Sequence, residues 1–158
     1  MESKNSFTGT NVTLGTNPHC FHQHSLKLTW SESREKCQSN GGDLVQIKSR
    51  DEQDFLEGRV SSPSCCDKFW IGLTDSQTEG EWLWCDGSPL NQSLAFWTRD
   101  SHNTEPDNWK EEDEEGENCA AIWEHYPINN PLSWYDVSCK KRHRFICDKP
   151  ADSTTTCG

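Results

Sequence analysis

The sequence predicts an α+β fold. Two capped helical segments lie close together early in the chain, strand-length apolar segments sit on either side of them, and there is no βαβ alternation or internal repeat. Hydrophobic residues make up only 31% of the 158 residues, yet the chain carries eight Trp and nine Cys. A chain this polar needs large aromatic anchors and covalent links to hold one domain together.

Residues 1–19 are rich in Asn, Thr and Gly and lack periodicity, so a flexible N-terminal arm is expected there. "CFHQHSLKLTW" (20–30) reads as a strand running into a turn, with His19, His22 and His24 as solvated histidines. "TWSESREKCQSNGG" reads as a helix. Thr29 and Glu32 form a T-x-x-E capping box, and Gly41-Gly42 stops it. "DLVQI" alternates like a short strand. "SRDEQDFLEGRV" opens on a second box, Ser49 and Glu52, and predicts a helix of about three turns. "KFWIGL" and "EWLW" are strands around the turn "TDSQTEG". From Ser88 to Asn118 the chain reads mostly as loop, and loops of that length are usually functional. "CAAIW", "SWYDVSC" and "HRFICDK" complete the strands, and 150–158 is a tail.

The net charge of -11 argues against nucleic acid as a partner. Scattered cysteines without a zinc-type CxxC pair point to an oxidising compartment, and the sequons at Asn11 and Asn91 agree with it. No apolar run reaches the ~20 residues of a membrane span, and "MESKNSFTGTNVTLGTNP" lacks a signal-peptide core. The expectation is an extracellular piece of a longer chain, or an incomplete N-terminus, joined to a membrane only through a segment not in this sequence. HExxH, G-x-S-x-G and phosphate-loop motifs are absent from the sequence, and the chain reads as a binding module and not an enzyme.

The stretch "EPDNWKEEDEEGENCA" (105–120) gathers carboxylates beside a proline, a tryptophan and a cysteine. It reads either as a solvated charged loop or as a site for a hard cation. Ca²⁺ takes about six to eight oxygen ligands, largely carboxylates and carbonyls.

The segments "WIGL", "EWLWCDGSPL", "EPDNW", "ENCA" and "WYDVSC…FIC" occur in the order found in C-type lectin-like domains. The chain resembles that family over 20–149, and the length of its loop is most similar to the asialoglycoprotein-receptor group and related myeloid and fish receptors. The resemblance implies two helices packed on small antiparallel sheets, a long Ca²⁺-binding loop and disulfides Cys37–Cys147 and Cys119–Cys139. It leaves Cys20 to reach Cys157, and Cys85 to lie near Cys65 or Cys66, with Cys66 taken as the partner. An odd cysteine is left free or available to bridge to another chain.

The resemblance also implies a site. Glu105 and Asp107 flank Pro106, whose peptide bond is cis in the family, and with Glu117 and Asp136 they would hold Ca²⁺ and meet the sugar. Trp109 would stack on the apolar sugar face, and Tyr135, where sugar-binding members usually have Asn, is counted with the sugar-contacting residues although it lacks the amide donor. An auxiliary Ca²⁺ site would use Asp75, Glu79, Asn108 and Asn118, the last usually Asp. Mannose-type sites read EPN and galactose-type sites QPD, each with one donor-capable side chain. EPD here offers two acceptors and no donor. The expected function is calcium-dependent binding of mannose- or galactose-type glycans, weak or mixed in preference. The alternative is a calcium-ordered surface for a protein ligand. Most of the side chains of Glu111, Glu112, Asp113, Glu114 and Glu115 are expected to be solvated.

Overall fold

Pairing between the first and last long strands brings the two ends of the domain together in the computed structural model, which describes residues 8–12, 19–60, 67–102, 104–123 and 132–151. β2 (His19–Leu28) runs antiparallel to β8 (His143–Pro150), with His22 opposite Cys147. On its other side β2 pairs with β1 (Thr8–Val12), a strand inside the segment expected to be an arm. Its polar Thr, Asn and Gly residues carry no strand pattern; the open edge of β2 supplies the pairing that local sequence does not announce.

β4 (Lys68–Thr74) pairs parallel with β8 at Phe69–Arg144 and Trp70–Phe145, and antiparallel with β6 (Cys119–Trp123). β7 (Trp134–Val137) closes the order β1-β2-β8-β4-β6-β7, while β3 (Asp43–Leu44) joins β8 and β5 (Leu83–Trp84) joins β4. The parallel β4–β8 contact therefore merges the expected small antiparallel sheets into one mixed sheet of eight strands among the described residues. β3 and β5 are shorter than the alternation suggested.

Both helices start where the caps placed them. α1 (Trp30–Ser39) has the full box: Thr29 Oγ1 accepts from the Glu32 amide and Glu32 Oε2 accepts from the Thr29 amide. α2 (Arg50–Glu57) is one turn shorter than expected. Ser49 caps it, but Glu52 Oε2 reaches the Lys48 amide and not that of Ser49.

Strand alternation divides the core between the two sheet faces. Phe69, Ile71 and Leu73 enter one cluster with Ile122 and Trp134; Trp70 enters the other with Ala121, Tyr135, Phe145 and the Cys37–Cys147 bridge. Gly72 is needed where β4 passes Leu44, because a Cβ there would lie 2.7 Å from the Leu44 carbonyl oxygen. His22 and His24 are 9% and 7% exposed, not solvated; His24 stacks on Phe145, and burial lowers its pKa to about 4.

The expected bridges Cys37–Cys147 and Cys119–Cys139 are both formed. The first spans 110 residues, and in the chain-entropy model such a link stabilises by ~4–5 kcal/mol. Cys20 is disulfide-bonded; Cys157, its expected partner, lies outside the described residues. The expected Cys85–Cys66 bridge is not formed. Cys85 is a free thiol, because its amide is tied to the Gly72 carbonyl and its sulfur faces the backbone there; Cys65 and Cys66 lie outside the described residues. Burial pushes the Cys85 thiol up to about 12, which makes it a poor bridge to another chain.

Candidate cation and sugar site

The long loop leaves the core at Thr98 and returns at Cys119. Its anchors are backbone bonds from the Thr98 amide to the Trp134 carbonyl and from the Glu105 amide to the Thr98 carbonyl. The Glu105–Pro106 peptide is cis. Asp136 enters from β7, directly opposite Ala120 of β6. One ligand oxygen each from Glu105, Asp107 and Asp136 lies within 4.8 Å of the others. Glu105 and Asp136 are buried and Asp107 is exposed, so the cluster has a floor and an open side.

Backbone donors fix this arrangement. Asp136 accepts from the Asp107 amide at 3.1 Å and the Asn108 amide at 2.7 Å. Asp107 Oδ1 accepts from the Trp109 amide at 3.1 Å. Asn108 adopts φ 49°, a left-handed conformation that Asn tolerates, and its Oδ1 accepts from the Glu117 amide at 2.9 Å. Glu117 is thereby held beside the cluster, but it is not one of the three residues whose oxygens lie within 4.8 Å of one another.

Burial pushes the Glu105 carboxyl up, and Asp136, Asp107 and Glu117 add to the shift in that order. Burial pushes Glu117 up to about 8, with Asp136 the next cause. Crowded carboxylates repel one another, and a divalent cation relieves that repulsion.

The auxiliary set is partly assembled. Asp75 is 3% exposed, and its amide donates to the Asn118 carbonyl. Asp75 Oδ2 accepts from the Gly80 amide at 2.9 Å, while Asp75 Oδ1 and Asn118 Oδ1 are buried without a hydrogen-bond partner. Two orphaned acceptor oxygens, one just past the end of β4 and one just before β6, suit a hard cation, because buried acceptors are otherwise satisfied. Burial raises Asp75 to about 6, with Glu79 and Asp136 as neighbouring carboxylates. Glu79 is exposed. Asn108 turns its amide oxygen toward the Glu117 backbone.

Trp109 is 48% exposed, so it is not a core residue. Tyr135 departs from its expected role in sugar contact. Strand alternation sends it to the face opposite Asp136, where it is 6% exposed and its ring meets Trp123 edge-on at 5.0 Å. β7 is buried along its whole length, so alternation could not be read from sequence polarity.

Most of the acidic run 111–115 is exposed, in line with expectation, and Asp113 is the exception. Its side chain is 12% exposed and accepts from Ser138 Oγ at 2.6 Å and Lys140 Nζ at 3.2 Å. Lys141 pairs with Glu112, and Lys140 also reaches Glu115. The signal in the sequence was the basic run Lys140-Lys141-Arg142, after Cys139, set against the acidic run of the loop.

A family model described as the Lectin C-type domain matches residues 26–149. The mouse (Mus musculus) protein named C-type lectin domain family 4 member F is 36% identical over 125 residues, covering 78% of this chain and 20% of that protein. This chain spans 20–55% of the length of the first curated relatives it matches. Among solved structures, the carbohydrate-recognition domain of mouse scavenger receptor C-type lectin has a TM-score of 0.72 at 30% identity, covering 89% of this chain and 95% of that one. The C-type carbohydrate-recognition domain of cow CD23, solved in the presence of a GlcNAc2Man3 oligosaccharide, has a TM-score of 0.70 at 28% identity, covering 94% and 98%.

Proposed function

Because this chain belongs to the C-type lectin domain family, a family of non-enzymatic binding domains, we propose that residues 20–149 form a calcium-dependent carbohydrate-recognition domain of an extracellular or cell-surface receptor. The observation that carries this reading is the convergence of Glu105, Asp107 and Asp136 within 4.8 Å, beside an exposed Trp109. Glu105, Asp107, Glu117 and Asp136 are the proposed ligands of the principal ion. Asp75 and Asn118, with Glu79 and Asn108 at the rim, hold the auxiliary one. The oxygen-only donor set and the orphaned Asp75 and Asn118 oxygens support calcium as the ion.

Calcium, when bound, supplies coordination to vicinal hydroxyl oxygens of a sugar. The chain supplies the rest. Glu105, Asp107 and Glu117 accept hydroxyl protons, and Trp109 offers an aromatic face to the C–H side of the ring. No amide side chain stands in the EPD triplet to donate to a hydroxyl oxygen, and each missing hydrogen bond weakens binding by ~0.5–1.5 kcal/mol. We therefore read the preference as weak, or mixed between mannose- and galactose-type glycans, with avidity from clustering making up the affinity.

A second reading is favoured by one observation. Tyr135 stands in place of an amide and is turned into the core, so the sugar side lacks that donor too. The domain would then use the ion only to order a surface for a protein ligand. Sugar titration at saturating calcium separates the two. Millimolar binding of mannose or galactose, with the galactose affinity weakened about three- to tenfold in Trp109→Ala, supports the lectin reading. No heat with either sugar, alongside tight calcium binding, supports the protein-ligand reading.

A further inference from the structure

Among the carboxylates of the run between Trp109 and Glu117, Asp113 is the least exposed and the most heavily bonded. Asp113 accepts from Ser138 Oγ, from Lys140 Nζ and from the Glu115 amide, while its own carbonyl accepts from the Gly116 amide at 2.8 Å. Ser138 is 4% exposed and sits between Asp136 and Cys139, at the end of β7 in the disulfide-braced part of the sheet. The turn 113–116 is thus tied to the rigid strand that carries Asp136.

That turn has two further contacts. Gly116, at φ +83°, presses against Asn108 so closely that a Cβ would lie 2.0 Å from Asn108 Oδ1, the oxygen that receives the Glu117 amide. The Glu115 carbonyl accepts from Asn118 Nδ2 at 2.9 Å, which leaves Asn118 Oδ1 as the oxygen free for a ligand. From this geometry we infer that Asp113, Ser138 and Lys140 form a clamp that positions Glu117 and Asn118 and so pre-forms the loop for its cation. The inference rests on the calcium reading above for its consequence, but the clamp itself is a property of the folded chain.

The three are positioning residues, because none is among the proposed ligands. Their contribution has a sign that simple electrostatics does not share. Lys140 is a cation paired with Asp113 and Glu115 in the loop that carries the proposed ligands, so by charge alone its removal makes that loop more negative and tightens calcium binding. By the clamp its removal loosens the turn and weakens binding. Ser138→Ala changes no charge at all.

The test uses Ser138→Ala and Lys140→Met, with amide hydrogen exchange in chelator-treated protein and calorimetric calcium titration. The clamp predicts that the Glu115, Gly116 and Glu117 amides exchange about tenfold faster in Ser138→Ala, while protection in β4 and β8 is unchanged. It predicts calcium dissociation constants raised about tenfold in Ser138→Ala and about threefold in Lys140→Met. Unchanged exchange at all three amides in Ser138→Ala overturns it, as does tighter calcium binding by Lys140→Met. If the unsubstituted protein takes up no calcium, the calcium reading fails by itself, and exchange at the three amides still decides whether the clamp holds the turn.

Discussion

The backbone amide of Asn108 donates to the carboxylate of Asp136 at 2.7 Å, joining residues 28 positions apart in the chain. Asp107 donates to the same carboxylate from the neighbouring amide. Asp136 is therefore both a candidate ligand and the acceptor that fixes the backbone of two others. Asp136→Ala is expected to abolish calcium binding and to cost about 1–3 kcal/mol of stability in chelated protein, by leaving two loop donors unsatisfied. Asp136→Asn keeps an acceptor and should retain more of the stability than of the calcium affinity. Thermal melts with and without chelator, beside calcium titration, measure both.

Gly116→Ala should damage the site more than the fold. The new methyl meets Asn108 Oδ1 at a backbone angle that L-residues avoid, so the loop must shift and Glu117 with it. The expected result is at least a tenfold loss of calcium affinity. Far-ultraviolet circular dichroism should be unchanged.

Trp109→Ala should leave stability within about ±0.5 kcal/mol, because the indole is 48% exposed. Calcium affinity should hold, while affinity for galactose-type glycans falls by about three- to tenfold, the value of one aromatic face. Loss of calcium binding in this variant would place the indole in loop packing instead.

Calcium affinity should climb with pH. Burial, then Asp136 and Asp107, raise Glu117 to about 8, so ion binding at neutral pH must displace protons. A carboxyl with a raised folded pKa contributes stability below its ordinary value near 4.5 and loses it as pH rises through about 8. Through this group, chelated protein should melt higher at pH 6 than at pH 8.5, and calcium should reverse the order.

Acid should weaken the sheet through its histidines. His24 and His143 are both lowered to about 4, chiefly by burial. A depressed histidine contributes stability above about 6.5 that is lost as pH falls toward 4. Relative to the unsubstituted protein, His24→Phe should gain melting temperature as pH falls across that window, by the share of the acid loss that His24 carries beside His143.

The parts of this fold written in local chemistry were legible. The capping box at Thr29 and the Ser49 cap placed both helices, and the apolar runs placed β4, β6 and β8. The parts decided by distant partners were not. β1 takes its conformation from the edge of β2, and the face shown by Tyr135 is hidden in a strand buried on both sides. Asp113 reads as one more solvated carboxylate because its partners lie 25 and 27 residues away. The Glu105, Asp107 and Asp136 cluster was found because "EPDNW" and "WYDVSC" carry a family's order, not because spacing alone brings them together.

Calorimetric titration of Ca²⁺ into chelator-stripped protein and into Asp107→Ala, each followed by mannose and galactose at saturating calcium, tests the central claim. The account predicts that the unsubstituted protein binds calcium and then a sugar, and that Asp107→Ala loses both while remaining folded. Folded, unsubstituted protein that takes up no calcium would contradict it, and would leave the carboxylates of 105–117 as a charged loop without a cation.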